Sequence, residues 1–130
     1  MIERPTVTWR RQIAEQEAQV AAGTLPRAKA YAAELWPPDF TAAVDKALDA
    51  YEREVRSLPA GRDDAAWAAV ERVVLALNAA DEEEHIETGE REELAEYIDQ
   101  VLEAAGVDVA ALTARRGIDR SELTDDWREW

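Results

Sequence analysis

Apolar side chains recur at steps of three and four residues along most of the chain, which is the spacing of one face of an α-helix. The longest stripe is preceded by Asp39, a residue type that favours the N-cap position. It ends before residues 59–64, PAGRDD, where proline and glycine favour a loop. One long amphipathic helix is therefore predicted, on Phe40, Val44, Ala47, Leu48, Tyr51, Val55 and Leu58.

Two helices are predicted before this one. The first carries an apolar stripe that includes Trp9 and ends at Gly23, which readily adopts the left-handed conformation of a C-cap. The second begins with Thr24 as its N-cap. It ends at Pro37 and Pro38, because neither residue has a backbone N–H to donate.

Further helices are predicted on the C-terminal side. A fourth carries an apolar stripe over residues 67–77, and a fifth begins at Thr88 or Gly89. Asp108 then has the position of an N-cap for a short helix, and the sequence DRSE at residues 119–122 has the spacing of a capping box. Short helices are therefore expected after the fifth helix.

No segment shows the strict apolar–polar alternation of a β-strand. We therefore predict an all-α protein in which residues 1–130 form a single-domain bundle of four longer helices plus short C-terminal helices. The length of 130 residues suits one domain with one core. Glycine and proline, which break helices, number only five each.

Composition narrows the classes of function. The absence of cysteine excludes disulfides, thiolate metal sites and cysteine nucleophiles. The chain has no signal-peptide-like start and no apolar run of the ~20 residues that span a bilayer, so we expect a cytoplasmic protein. The net charge of −14 argues against nucleic-acid binding, since phosphate contacts need lysine and arginine.

The negative charge is concentrated in one segment. Residues 81–103 contain eleven acidic residues and one arginine, a net charge of −10, whereas nine acidic and nine basic residues cancel in residues 1–62. Helix capping needs only two or three acids, and like charges three or four residues apart cost a few tenths of a kcal/mol per pair. We therefore favour a partner-binding surface over a merely solubilising one. This predicted ridge consists of Glu82, Glu83, Glu84, Glu87, Glu92, Glu96 and Asp99.

A metal-binding interpretation of residues 81–92, DEEEHIETGERE, is the main alternative. Five potential ligands have the spacing of a calcium-binding EF-hand loop, but position six holds Ile86 where the turn needs glycine. Glu82 and His85 also have the Glu-x-x-His spacing of di-iron bundles, which need a second histidine that the chain lacks. No cofactor is therefore predicted. The potential metal ligands are Asp81, Glu83, His85, Glu87 and Glu92.

Catalytic motifs are missing from the sequence. The only serines, Ser57 and Ser121, have no Gly-x-Ser-x-Gly context that would pair either one with His85 as a nucleophile. All five glycines are isolated from one another, so there is no glycine-rich phosphate loop. We therefore expect that the protein is not an enzyme.

Five tryptophans are many for this length. Trp9 and Trp67 lie on apolar stripes and are expected in the core. Trp36 precedes two prolines and Trp130 ends the chain, so we predict both as exposed anchors for a partner, since tryptophan is enriched in binding hot spots. Trp127 is expected to dock on the bundle.

Three stretches, WPPDFTAAVDKALDAY (36–51), ALNAADEEEHIETGEREELAEYID (76–99) and GIDRSELTDDWREW (117–130), carry a resemblance to known proteins. They are similar to small, acidic, largely uncharacterised helical proteins of actinobacteria that are encoded beside secreted toxins. The resemblance implies an immunity-type inhibitor that occludes a basic partner such as a toxin nuclease, and it transfers no catalytic residue. A metal-binding regulatory protein and a scaffold subunit remain the alternatives, and self-association is left open.

Overall fold

The computed structural model describes residues 2–130, and within them the all-α prediction is confirmed, since every regular element is a helix and none is a β-strand. Four helices are long, with 17 to 19 residues each. The architecture is that of a helical bundle. In chain order the α-helices are α1 (Pro5–Ala21), α2 (Ala32–Leu35), α3 (Pro38–Arg56), α4 (Asp63–Ala80), α5 (Thr88–Ala104) and α6 (Val109–Arg115), with 3-10 turns at Arg27–Lys29 and Arg120–Glu122.

Short-range capping contacts set where the C-terminal helices begin. Before the first residue of α5, the Glu87 backbone N–H donates to the Glu90 carboxylate at 3.1 Å. At the start of α6, the Asp108 carboxylate accepts the backbone N–H of Ala111 at 3.1 Å, as its position predicted. The capping box at residues 119–122 also forms, although it opens a 3-10 turn rather than an α-helix.

The prediction of a helix from Thr24 to the two prolines is wrong in its extent. Only one 3-10 turn and the four-residue α2 form there. The Thr24 hydroxyl donates to the Gln19 carbonyl at 3.2 Å, so it closes α1 rather than capping a new helix. Pro26 lacks a backbone donor and Pro37 disfavours helical backbone angles at Trp36, which leaves a stretch too short to sustain a helix by itself.

Helix α3 is the central helix of the core. It begins at Pro38, so Asp39 lies inside its first turn and is not the predicted cap. Six of its seven predicted apolar residues are buried, and Leu58, just beyond the helix, is partly buried. The helix packs along α4 and also contacts α1 and α5. The Tyr51 hydroxyl donates to the Ile98 carbonyl of α5 at 2.7 Å inside this core.

The prediction that Trp36 and Trp130 are exposed anchors is wrong, because their exposed fractions are only 5% and 8%. Trp36 stacks on the fully buried Trp9, with the ring centroids 5.7 Å apart. Arg91 donates from Nε to the Trp130 carbonyl at 3.0 Å, and the Arg128 guanidinium lies 5.4 Å from the Trp130 ring. Both indoles therefore stabilise the fold and are removed from the candidate binding surface.

The C-terminal segment, residues 117–130, is held against α4 by a side-chain amide and an aromatic contact. Asn78 donates from Nδ2 to the Trp127 carbonyl at 2.8 Å and accepts the Glu129 backbone N–H at 3.0 Å. The Trp127 ring lies against Trp67, with centroids 6.2 Å apart. The expectation that Trp127 docks on the bundle is confirmed.

An ion cluster ties the N-terminus to α3 and α5. The Arg4 guanidinium contacts Asp49 at 2.5 Å and donates from Nε to Glu52 at 2.8 Å. Tyr97 of α5 donates its hydroxyl to the same Glu52 carboxylate at 2.9 Å. Burial and this hydrogen bond raise the pKa of Tyr97 to about 12.

Candidate functional site

The loop between α4 and α5 presents the first part of the predicted ridge. The Asp81 carboxylate accepts the backbone N–H of Ile86 at 2.9 Å, and the Ile86 side chain is buried in the core. Between these contacts, Glu84 adopts a left-handed φ of 58°, which turns the chain. Glu82, Glu83 and Glu84 are exposed on this turn. The loop is therefore fixed at both ends and directs its carboxylates into solvent.

The second part of the predicted ridge lies on α5. Glu87 occupies the N-cap position and is exposed. Glu92 and Glu96 follow on the solvent side of the helix, whereas Leu94 and Ile98 are fully buried on the other side. The apolar period of α5 thus places these two glutamates, four residues apart, on one outer face.

Asp99 does not belong to this free surface, and its place in the predicted ridge is wrong. Arg120 of the C-terminal segment donates from Nε and Nη2 to the two Asp99 carboxylate oxygens at 2.7 and 2.5 Å. The same Nη2 lies 2.9 Å from the Glu103 carboxylate. Only 17% of the Asp99 side chain is exposed. Asp99 is therefore already neutralised within the chain.

Outside residues 81–103, nine of the 18 acidic residues form an ion pair with an arginine within the described part of the chain. Arg4 contacts three carboxylates of α3, and Arg72 and Arg115 pair with Glu54 and Asp63. Within residues 2–130, by contrast, no ion pair with a lysine or arginine forms at six exposed glutamates, and one of them, Glu83, lies 3.4 Å from the His85 Nε2. These six residues are the acidic face: Glu82, Glu83, Glu84, Glu87, Glu92 and Glu96.

The one arginine of the acidic segment does not compensate the acidic face. Arg91 directs its Nε to the Trp130 carbonyl at 3.0 Å and is only partly exposed. No ion pair between Arg91 and a carboxylate forms within the described part of the chain. The negative charge of the acidic face therefore remains available to groups outside the chain.

Three surface grooves border the acidic face. Each groove is bordered by two of the six glutamates and by a different neighbouring part of the fold. Glu82 and Glu83 line a groove of ≈ 340 Å³ beside α3, Glu84 and Glu87 one of ≈ 470 Å³ beside Trp130, and Glu92 and Glu96 one of ≈ 550 Å³ on α5.

The groove on α5, called the α5 groove, combines apolar and acidic side chains. One wall is the outer face of α5, and the other is the C-terminal segment from Arg120 to Thr124. Ala95 supplies apolar surface beside the glutamates of the α5 wall, whereas Leu123 on the other wall is buried, with an exposed fraction of only 3%. Its principal lining residues are Glu92, Ala95, Glu96, Asp99, Arg120 and Leu123.

The structure does not bring the potential metal ligands of the 81–92 loop together. Asp81 uses a carboxylate oxygen to accept the Ile86 N–H, and the His85 ring packs on Phe40 with centroids 5.0 Å apart. Within residues 2–130, no group of three or more histidine, aspartate or glutamate side chains is arranged to hold a metal ion. The ligand set predicted from the spacing, with Glu83, Glu87 and Glu92, therefore does not form.

Arg120 is the residue of this region that sequence reasoning missed. Its DRSE context predicted only helix capping, and that capping does form. Its contact with Asp99 joins residues 21 positions apart, so it depends on how the C-terminal segment folds back over α5.

Comparison with known proteins gives no match: no protein-family model, curated protein or solved structure matches the chain. Among the described residues, no helix is both long enough and apolar enough to pass through a membrane.

Proposed function

We propose that the chain is a protein-binding module that engages a basic surface of another protein through its acidic face. The observation that supports this most directly is the contrast in charge pairing. Six of the eight acidic side chains on α3 and α4 have arginine partners, whereas the six glutamates of the acidic face have none among residues 2–130. Uncompensated like charges at helical spacing weaken the fold slightly, and a basic partner would neutralise them.

The mechanism is electrostatic and steric. A strong local negative potential accelerates the encounter with a basic surface, because long-range attraction orients the two molecules before contact. After contact, the apolar surface of the grooves, including Ala95, excludes water and slows dissociation. The association rate and the residence time thus depend on different side chains.

In its most concrete form, the proposal is an immunity-type inhibitor that acts in the cytoplasm. The resemblance to small acidic proteins encoded beside secreted toxins supports this form. The substrate cleft of a nuclease is basic because it binds phosphates, so it matches the charge of the acidic face. Binding across such a cleft blocks the substrate, and this action needs neither a catalytic residue nor a cofactor.

The test begins with a partner isolated from the native host and identified by mass spectrometry. Association rates are then measured by surface plasmon resonance for the wild type and for the double variant Glu92→Lys and Glu96→Lys. We expect the double variant to associate about tenfold more slowly at low salt. Raising the salt concentration should slow the wild type as well, since the Debye length falls to ~8 Å at physiological ionic strength.

A charge-matched control separates the acidic face from net charge. Glu15 and Glu34 are exposed and lie outside the acidic face. The double variant Glu15→Lys and Glu34→Lys changes the net charge by the same amount and should associate at close to the wild-type rate. Equal slowing by both double variants, or slowing by neither, would contradict the proposal.

A further inference from the structure

We infer that residues 119–130 form a strap that opens and closes over α4 and α5 while the helical bundle stays folded. The strap is the part of the C-terminal segment that follows Ile118, the last residue whose backbone N–H donates to α6. Opening exposes the surface that the strap covers, including two carboxylates of α5. The existence of the strap does not depend on the proposed function, whereas its effect on recognition rests on it.

The strap has no backbone hydrogen bond to the helices that it covers. The Ile118 backbone N–H donates to the Thr113 carbonyl at 3.2 Å, at the end of α6. Beyond this bond, within the described part of the chain, the backbone bonds of the strap join only its own residues. They run from the N–H groups of Glu122, Leu123 and Asp125 to carbonyls three residues earlier. Opening the strap therefore breaks no backbone hydrogen bond of α4 or α5.

Side-chain contacts hold the strap in place at two points. Near its start, the Arg120 guanidinium donates to both carboxylate oxygens of Asp99, at 2.7 and 2.5 Å. Farther along, the Asn78 side chain of α4 donates to the Trp127 carbonyl at 2.8 Å and accepts the Glu129 backbone N–H at 3.0 Å. These polar contacts lie near the surface, where water competes for the same groups.

The strap buries few apolar side chains. Leu123 and Trp130 are buried, and the partly exposed Trp127 ring lies 6.2 Å from the Trp67 ring of α4. Seven of the twelve residues of the strap are exposed. A segment with few buried apolar groups and no backbone bonds to its surroundings opens at a lower free energy than the whole fold.

The charge of the strap also opposes closure. The strap contains five acidic residues and two arginines, a net charge of −3, and it contacts α5 in residues 81–103, whose net charge is −10. Because like charges repel, closure depends on the arginines that bridge the two segments. Arg120 of the strap contacts Asp99, and Arg91 of α5 donates to the Trp130 carbonyl at 3.0 Å.

Opening changes the charge that α5 presents. In the closed form Arg120 pairs with Asp99 and lies 2.9 Å from the Glu103 carboxylate. In the open form both carboxylates lose this arginine and join Glu92 and Glu96 on the outer face of α5. For the proposed function the strap is therefore an autoinhibitory contact, because Arg120 occupies carboxylates that a basic partner would otherwise contact.

Thiol labelling of the full chain measures the opening, since the sequence contains no cysteine. Thr124→Cys places a thiol at a buried position of the strap, Leu123→Cys gives a second such position, and Val74→Cys places a thiol in the core of α4. Each protein is treated with excess dithionitrobenzoate at neutral pH. We expect the strap thiols to react about a hundredfold faster than the core thiol, because only the core thiol requires unfolding of the bundle. Urea should accelerate the strap thiols less steeply, because local opening exposes less surface.

Substitutions in the labelled chains test which contacts break on opening. Asn78→Ala removes two hydrogen bonds to the strap, so labelling at Thr124→Cys should become about tenfold faster. Gln12 is an exposed amide on α1, and Gln12→Ala should leave that rate unchanged. Tyr51→Phe removes a hydrogen bond between α3 and α5 that persists in the open form. It should therefore accelerate labelling at Val74→Cys and not at Thr124→Cys.

Several results would overturn the inference. Equal labelling rates for the strap and core thiols, or acceleration of both by Tyr51→Phe, would mean that the strap is released only when the bundle unfolds. Labelling of the strap thiols as fast as in the urea-unfolded chain would mean that the strap does not close. An effect of Asn78→Ala no larger than that of Gln12→Ala would show that Asn78 does not hold the strap. Wild-type circular dichroism spectra show that each variant folds. The proposed function is tested separately, by the association rates of the lysine variants.

Discussion

Arg120 and Asp99 form a bidentate ion pair, with both carboxylate oxygens of Asp99 within 2.7 Å of guanidinium nitrogens. The pair joins α5 to the C-terminal segment and connects residues 21 positions apart. It has two effects on the surface. It removes one carboxylate from the predicted ridge, and it fixes the wall that turns the outer face of α5 into a groove.

We expect Arg120→Gln to loosen the C-terminal segment without unfolding the bundle. Loss of the ion pair frees the 3-10 turn, while Asn78 and Trp127 still hold the rest of the segment. Hydrogen–deuterium exchange should become faster at Glu122 and Leu123 and stay unchanged in α3 and α4. Arg62→Gln is the control, since Arg62 pairs with Asp64 two residues away, and it should leave exchange at these amides unchanged.

Tyr51→Phe should reduce the free energy of unfolding by about 0.5 to 1.5 kcal/mol, because a buried hydrogen bond between α3 and α5 is lost. The lost bond is the 2.7 Å contact from the Tyr51 hydroxyl to the Ile98 carbonyl. Urea unfolding followed by circular dichroism measures the change. Tyr31 is 58% exposed, so Tyr31→Phe should match the wild type. Equal effects of the two substitutions would show that the buried bond contributes nothing.

Alkaline pH should destabilise the protein partly through Tyr97. Burial and the hydrogen bond to Glu52 raise its pKa from 10.0 to about 12, so the folded state retains a proton that the unfolded state releases. This contribution is fully present below pH 10 and is lost as the pH rises to about 12. Unfolding free energies measured between pH 9 and pH 11.5 should therefore fall less steeply for Tyr97→Phe than for the wild type.

The prediction for Tyr97 is checked by a control variant, and one outcome of the pH series would contradict it. Tyr31 is exposed, so Tyr31→Phe should reproduce the wild-type slope. Tyr51, whose pKa is also raised by burial, is present in both variants and in the wild type, so it cancels in the comparison. Parallel curves for Tyr97→Phe and the wild type would mean that Tyr97 titrates alike in the folded and unfolded states.

Trp36→Ala should lower the free energy of unfolding, and it should not weaken partner binding while the fold remains stable. Removing a buried tryptophan from a packed core costs about 3 to 5 kcal/mol. Trp36 stacks on Trp9, and the loss leaves a cavity beside that ring. Val7 of α1 is 41% exposed, so Val7→Ala should change the free energy of unfolding by less than about 0.5 kcal/mol. A stable Trp36→Ala protein with weakened partner binding would restore the anchor hypothesis.

The fold was largely predictable because its determinants are local. The apolar stripe of α3 and the caps at Asp108 and at residues 119–122 depend on spacing within a few residues, and each forms. The prediction of a helix after Thr24 is wrong for a local reason too. Pro26, Pro37 and Pro38 leave too few residues between them for a longer helix.

The candidate site was only partly predictable because exposure depends on contacts between distant residues. Glu92 and Glu96 are on the solvent side of α5 because the helical period alone places them there. Asp99 follows the same pattern, but Arg120 covers it from another part of the chain. Trp36 is likewise buried against Trp9, and Trp130 lies beside Arg91 of α5. Helical periodicity cannot predict either contact.

The turn closed by Asp81 and Ile86 has a thermodynamic consequence. Because this turn holds Glu82, Glu83 and Glu84 in place before any partner arrives, their mutual repulsion is part of the folding free energy of the free chain. Moderate salt alone should therefore raise the thermal midpoint, since it screens that repulsion. In the proposed complex a bound cationic surface would relieve the same repulsion, so a substitution that stabilises the free protein by removing these charges should weaken the proposed recognition.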